Sequence, residues 1–334
     1  MDKDDLSIEA RKLKLIKNEQ QLNENTRVIE GLHNYQGILQ KTYFLIKFTT
    51  QGEIQYINNG IIIRIDKISN PLNENEIMKN IEQINFLSWL GEYGVSQQKV
   101  RFWKAKWKGM PINVGGLYNQ EGNKDKKWKD LHINFWDKSQ IIENGEYING
   151  KRVGVWEILL DDQIIGMGTY DIKGNQNGLW IEPNQKFYKA QQIFYSGKYR
   201  AGSKIGEWIC YEKKLQSYLI NSQTILKIGG GNYNNNGIKQ GQWIELHENF
   251  SPNCQVYYQG KYYNGKKYGK WETKLKNFSS SFYKKIGGGD YDQNGLKHGY
   301  WIDLHEYFSN TKKFIETGKY EHGMKTENFQ EKEI

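Results

Sequence analysis

Between Gly116 and Phe329 the chain repeats one pattern eight times: glycine, any residue, tyrosine, a glycine-containing turn, then an aromatic nine or ten residues after the tyrosine. A fixed pattern at this period means a fold built by stacking one small unit, since a single unit has no core of its own. The tyrosines are Tyr118, Tyr147, Tyr170, Tyr199, Tyr233, Tyr262, Tyr291 and Tyr320. The closing aromatics are Trp128, Trp156, Trp180, Trp208, Trp243, Trp271, Trp301 and Phe329. A ninth, poorer unit runs from Gly91 to Trp103.

Turn chemistry identifies the unit as a β-hairpin. Asn149-Gly150 and Asn264-Gly265 are pairs whose positive φ angles match strand twist, and Ala201-Gly202 and His322-Gly323 are weaker versions. Alternate units carry one more turn residue. In these, Asn119, Asp171, Asn234 or Asp292 stands three places before Gly122, Gly174, Gly237 or Gly295, as in a type I turn followed by a bulge. From each long unit's closing aromatic to the next short unit's is 28 residues (128 to 156, 180 to 208, 243 to 271, 301 to 329), so the true repeat is a pair of hairpins. Within that window a second aromatic column appears at Phe135, Phe187, Phe250 and Phe308. Most inner units also place a glycine two before the closing tryptophan (Gly154, Gly178, Gly206, Gly241, Gly269, Gly299). Lys126 and Glu327 replace it in two units that read as degenerate ends.

The expected fold is all-β: an elongated array of stacked antiparallel hairpins whose Tyr and Trp side chains share a face and form the core. The ladder residues are Tyr147, Trp156, Tyr170, Trp180, Tyr199, Trp208, Tyr233, Trp243, Tyr262, Trp271, Tyr291 and Trp301. Closure into a β-propeller is the competing architecture, because two hairpins make a four-stranded blade. Gly145-Glu-Tyr-Ile-Asn-Gly-Lys-Arg-Val-Gly-Val-Trp156 and Gly260-Lys-Tyr-Tyr-Asn-Gly-Lys-Lys-Tyr-Gly-Lys-Trp271 resemble MORN-type repeats, especially the variant of bacterial antitoxin-like proteins in which Trp closes the unit. The resemblance covers about residues 84 to 329. It departs from regular MORN arrays in its alternating unit lengths, its longer gaps and its Trp in place of a small residue. It implies an elongated single sheet of hairpins, used as a scaffold and sometimes linked to membranes.

Three domains are expected: an N-terminal helical segment (1–34), a small β/α lead-in (35–83) and the hairpin array (84–334). Ser7 reads as an N-cap, and Ile8, Leu15, Leu22 and Ile29 recur every seven residues, which predicts a helix over 7–32, docked on the body or offered to a partner. Three short strands are expected at 43–49, 54–57 and 60–65, then a short helix over 73–84. Two cysteines, Cys210 and Cys254, are too few for a disulfide framework, and no apolar run is long enough to span a membrane. The expected setting is the reduced cytoplasm, at the cytoskeleton or a membrane surface.

Catalytic chemistry is sparse. His132, His247 and His305 stand four residues after a tryptophan, with Asp130, Glu245 and Asp303 two residues before them, but Asn184 takes the same slot in one unit, so the column reads as structural. The Gly229–Gly231 and Gly287–Gly289 triplets precede no helix and no Lys-Ser/Thr, so they are read as flexible leads into hairpins. No enzyme, no cofactor and no metal is expected. The formal charge of +9 falls on the array. Its turns carry Lys124, Lys126 and Lys127, and also Lys151, Arg152, Lys204, Lys239, Lys266, Lys267 and Lys297, read as edge lysines that deter aggregation or as a stripe facing acidic lipid or protein. The expected function is a non-catalytic protein-interaction scaffold, with peripheral binding of anionic membrane or phosphoinositide as the alternative. Other proteins are the expected partners, and nucleic acid is not.

Overall fold

The structure, a computed structural model, describes residues 25–35, 37–67, 77–189, 191–214, 224–248, 250–251, 254–276, 283–305, 308, 312–326 and 328–334. These residues form two compact bodies. One is drawn from residues 1–165 with 172–174 and 185–188; the other is drawn from 166–171, 175–184 and 189–334.

The first body opens with a four-stranded antiparallel sheet in sequence order: β1 (Thr26–Tyr35), β2 (Ile38–Phe48), β3 (Glu53–Asn58) and β4 (Ile61–Lys67). Phe44, Ile46 and Phe48 alternate along β2 and meet Ile54 and Tyr56 of β3 on one buried face. Ile77, Ile81 and Ile84 cover that face, the last two from the short helix α1 (Ile81–Phe86). Asn80 caps α1 by accepting the backbone N–H of Glu82 at 3.0 Å, and Arg64 donates to the carbonyls of Ile84 and Leu87 at the other end.

The helix expected over 7–32 is corrected where it can be seen. Residues 1–24 lie outside the described set, and from Thr26 onward the segment is strand. Val28 and Ile29, stiff at χ1, favour the pleat, and Ile29 pairs with Phe44 and packs on the strand cluster. The helix expected over 73–84 is restricted to Ile81–Phe86, with 73–76 outside the described residues.

The same body then carries β5 (Leu87–Tyr93), β6 (Lys99–Trp107), β7 (Met110–Tyr118), β8 (Lys124–Leu131), β9 (Ile141–Ile148) and β10 (Lys151–Leu160), each antiparallel to the next. Beginning in it and running into the second body is β11 (Gln163–Tyr170). There follow β12 (Gln176–Pro183), β13 (Gln192–Arg200), β14 (Ser203–Lys214), β15 (Thr224–Tyr233), β16 (Lys239–Leu246), β17 (Val256–Tyr263) and β18 (Lys266–Lys276). The chain ends on β19 (Tyr283–Tyr291), β20 (Lys297–Leu304), β21 (Phe314–Glu321) and the broken last strand β22 (Met324–Lys325) and β23 (Gln330–Glu333). Again, successive strands pair antiparallel. This is the expected all-β run of hairpins. Short turns have both central φ angles positive, as at Asn264 (48°) and Gly265 (77°). In long turns the Asx side chain accepts backbone N–H groups, Asn234 Oδ1 from Asn236 and Ile238 at 2.9 and 3.0 Å.

Two glycines of each unit answer to different demands. The first lies under its own tryptophan: a Cβ on Gly260 would sit 2.3 Å from the Trp271 ring. The second supplies backbone conformation: Gly269 has φ +62° with nothing within 4 Å of its Cβ position, at a register break between β17 and β18. Arg101 and Lys126 hold the same left-handed conformation (both φ 62°) in two hairpins that lack this glycine. Nor are the glycine triplets flexible leads. They lie inside β15 and β19, where a Cβ on Gly230 would be 2.0 Å from the Trp208 carbonyl oxygen.

Candidate interaction surface

The ladder is an edge-to-face stack. Within each body, a hairpin's tyrosine meets its own closing aromatic, Tyr262 to Trp271 at 5.3 Å and Tyr291 to Trp301 at 4.9 Å, and the preceding hairpin's tryptophan at slightly greater distance, Trp243 to Tyr262 at 5.8 Å. Tyr147, Trp156, Trp180, Tyr199, Trp208, Trp243, Tyr262, Trp271 and Trp301 are buried, with Tyr170, Tyr233 and Tyr291 half-buried. Most indole N–H groups donate to the carbonyl of the residue just before the rung's tyrosine, as Trp243 Nε1 does to Asn232 at 3.2 Å.

A cation four residues before the closing aromatic lies over its ring in eight of the nine hairpins. Residues i and i+4 of a strand share a face, and the spacing places an ammonium or guanidinium on the indole. Lys99 stands 5.0 Å from the Trp103 centroid, Lys124 4.5 Å from Trp128, Arg152 4.0 Å from Trp156 and Lys204 3.8 Å from Trp208. Lys239, Lys267, Lys297 and Lys325 follow at 4.4, 4.1, 4.6 and 4.1 Å from Trp243, Trp271, Trp301 and Phe329. Gln176 holds the position before Trp180.

In the long hairpins an acid two residues after the tryptophan gathers these cations. Glu245 accepts from Lys239 at 2.5 Å, from Lys267 at 3.0 Å and from the Tyr262 hydroxyl at 2.9 Å. Asp130 does the same with Lys124 (2.5 Å), Arg152 (2.9 Å) and Tyr147 (2.6 Å). Glu182 takes Lys204 (2.6 Å) and Tyr199 (3.2 Å), and Asp303 takes Lys297 (2.6 Å) and Tyr320 (2.7 Å). Burial works to raise the carboxyls of Asp130 and Glu245, but the paired cations outweigh it and hold both below the usual carboxylate range. Burial, then the adjacent carboxylate, pushes the phenols of Tyr147 and Tyr262 far up.

Of the cations singled out in the sequence, Lys124, Arg152, Lys204, Lys239, Lys267 and Lys297 therefore lie on the ladder, engaged with rings and carboxylates, while Lys126 and Lys127 are exposed. Lys151 and Lys266 sit at the exposed starts of β10 and β18. The cation at Trp−4 and the acid at Trp+2 are visible as same-face spacings, a signal that reasoning about sheet edges passes over. On the opposite face of the second body's strands, Leu179 and Tyr300 are 77% and 79% exposed, and Tyr263, Tyr268, Lys261 and Lys270 are on the surface with them. A shallow depression there is lined by Asn232, Gln240, Gly241, Lys261, Tyr262, Tyr263 and Asn264.

The histidine column begins the loop that carries the second aromatic column. The backbone N–H of Phe250 donates to the His247 carbonyl at 2.9 Å, and Phe308 to His305 at 2.9 Å. Phe135, Phe187, Phe250 and Phe308 are buried. His132 Nδ1 lies 2.5 Å from Asn134 Oδ1, Asn184 donates to the Tyr195 hydroxyl at 3.2 Å, and His247 Nδ1 is 3.8 Å from Cys254 Sγ. Cys210 is buried, and burial pushes its thiol up to about 12. Among the described residues, no three His, Cys, Asp or Glu side chains already converge on a metal position, and no helix is long and apolar enough to cross a membrane.

No protein-family model matches the chain, and a search of curated proteins returns no match.

Proposed function

We propose that this chain is a non-catalytic protein-interaction scaffold built from MORN-like hairpin repeats. The carrying observation is a division of labour between the two faces of one run of strands. The ladder face engages its cations, carboxylates and phenols with one another, leaving little polar chemistry there for substrate. The opposite face offers Leu179, Tyr263, Tyr268 and Tyr300 among lysines, the mix of aromatic and polar groups that protein partners bury. The paired glycine, tyrosine and Trp positions support the MORN-like reading. Engagement of six of the ten singled-out cations with rings and carboxylates weighs against the anionic-membrane alternative, which is left with Lys126, Lys127, Lys151 and Lys266.

Two measurements test this reading. Partners captured by the wild type and identified after cross-linking are expected to be lost from a Tyr268→Ser/Tyr300→Ser variant that melts like the wild type; undiminished capture defeats the face assignment. Co-sedimentation with acidic liposomes is expected to leave the protein in the supernatant. Pelleting that Lys151→Glu/Lys266→Glu abolishes would establish the membrane reading instead.

A further inference from the structure

Where a long turn meets the following short turn, the repeat brings two side chains together. In the first body Asn119, the Asx residue of its turn, donates to Asn149 Oδ1 at 3.1 Å. The last module holds Asp292 and His322 in these two places, with Asp292 Oδ2 4.0 Å from His322 Nδ1. Close by is His298, whose ring centroid lies 6.3 Å from that of His322. Its position, three before the tryptophan, carries Asp125, Asn177 and Gln240 in the other modules. The His322 position carries Asn149, Ala201 and Asn264, so both imidazoles are departures from the repeat, and both fall at one junction.

We infer that His298, His322 and Asp292 form a surface site for a divalent transition-metal ion such as Zn2+. Two imidazoles and a carboxylate suit a borderline ion and not Ca2+ or Mg2+, which take oxygen ligands. The geometry is close to what such an ion requires. With metal–nitrogen distances of about 2.0 Å, two imidazoles sharing a tetrahedral ion have ring centroids about 5 Å apart, and two donor atoms stand about 3.3 Å apart. The observed 6.3 and 4.0 Å exceed these by about an ångström. His298 and His322 are exposed, so rotation of their side chains closes the difference. The carboxylate is already oriented: Asp292 Oδ1 accepts the backbone N–H groups of Asn294 and Leu296 at 2.8 and 2.9 Å, which aims Oδ2 at His322. Those backbone donors, Leu296 first, together with both histidines keep the Asp292 carboxyl below its usual range. Asp290 pairs with His298 directly across the two strands, on the same face.

Zn2+ titration of the full chain, stripped with EDTA and followed by calorimetry, is expected to show one equivalent bound. His298→Gln/His322→Asn is expected to weaken uptake at least tenfold. Its new residues already occur at the same positions in the preceding module, as Gln240 and Asn264, so its melting in EDTA is expected to coincide with the wild type's. Asp292→Asn, matching Asn234, removes the carboxylate while keeping the turn cap and is also expected to weaken binding. Absence of stoichiometric Zn2+ in the wild type overturns the site. So does uptake that survives the double histidine variant, or uptake lost instead from His132→Asn/His247→Asn.

Discussion

Replacing Gly260 and Gly269 by alanine, one at a time, separates two physical reasons for glycine inside a single hairpin. A methyl on Gly260 would lie 2.3 to 2.4 Å from three carbons of Trp271, where ordinary carbon contacts need about 3.5 to 4.0 Å. The indole must retreat by more than about 1 Å, but it is 3% exposed and held on every side. Tyr262 and Tyr291 meet its edges at 5.3 and 6.1 Å, Lys267 lies 4.1 Å over it, and its N–H donates to Lys261 at 3.2 Å. Overpacking costs about 1–3 kcal/mol and disturbed aromatic contacts about another 1. The restricted unfolded chain returns about 0.4–1. The net loss for Gly260→Ala is therefore about 1–4 kcal/mol, centred near 2. Alanine at Gly269 meets nothing, and carries only the left-handed penalty of about 1–2 kcal/mol less the same return, leaving about 1. Asparagine tells the two apart further: Gly269→Asn is expected to recover most of the loss, because asparagine tolerates positive φ, and Gly260→Asn to deepen it. The assay is urea denaturation followed by tryptophan fluorescence, with near-ultraviolet circular dichroism reporting the ring's displacement. A Gly260→Ala loss no larger than that of Gly269→Ala refutes the ring-on-glycine account.

Trp243→Ala is expected to destabilise by about 3–5 kcal/mol, and Phe329→Ala, half-buried at the last rung, by clearly less; equal shifts in denaturation midpoint contradict that gradient. Acid is expected to weaken the fold through Asp130 and Glu245. Their carboxyls are depressed in the folded state, so the stabilisation is complete above the ordinary carboxylate range and is lost as the pH falls through the lower folded values. In melts from neutral pH down through the carboxylate range, Glu245→Gln is expected to show a shallower acid limb than the wild type; parallel limbs contradict the ion-cluster reading.

The hairpins are legible because turn chemistry is local: Asn264-Gly265 and the Asx at Asn234 specify their turns within a few residues, and the structure places both as expected. The second glycine is visible in the sequence but its reason is not, because a register break cannot be inferred from simple alternation. The ion clusters are hidden for a different cause. Lys239 and Lys267 each look like an edge lysine when taken alone, and only the meeting of neighbouring hairpins on Glu245 shows their role. At Ile29, the one described residue of the heptad, the helix reading fails because a single apolar residue in seven fits a strand's buried position as well as a helix stripe. The junction of His298 with His322 depends on residues 24 apart in sequence facing each other across strands, which spacing within either hairpin does not reveal.

The carboxylate clusters also set the kinetic scale of assembly. Each closes over a short stretch of chain: Glu182 reaches Tyr199 17 residues ahead and Lys204 22 residues ahead. Loop-closure entropy rises only with the logarithm of such separations, and it is incurred once per module. Lengthening the array adds modules without adding any longer closure, so relative contact order falls as the chain grows. Any module can nucleate and its neighbours then add to a ready template, which makes folding time a property of one pair of hairpins.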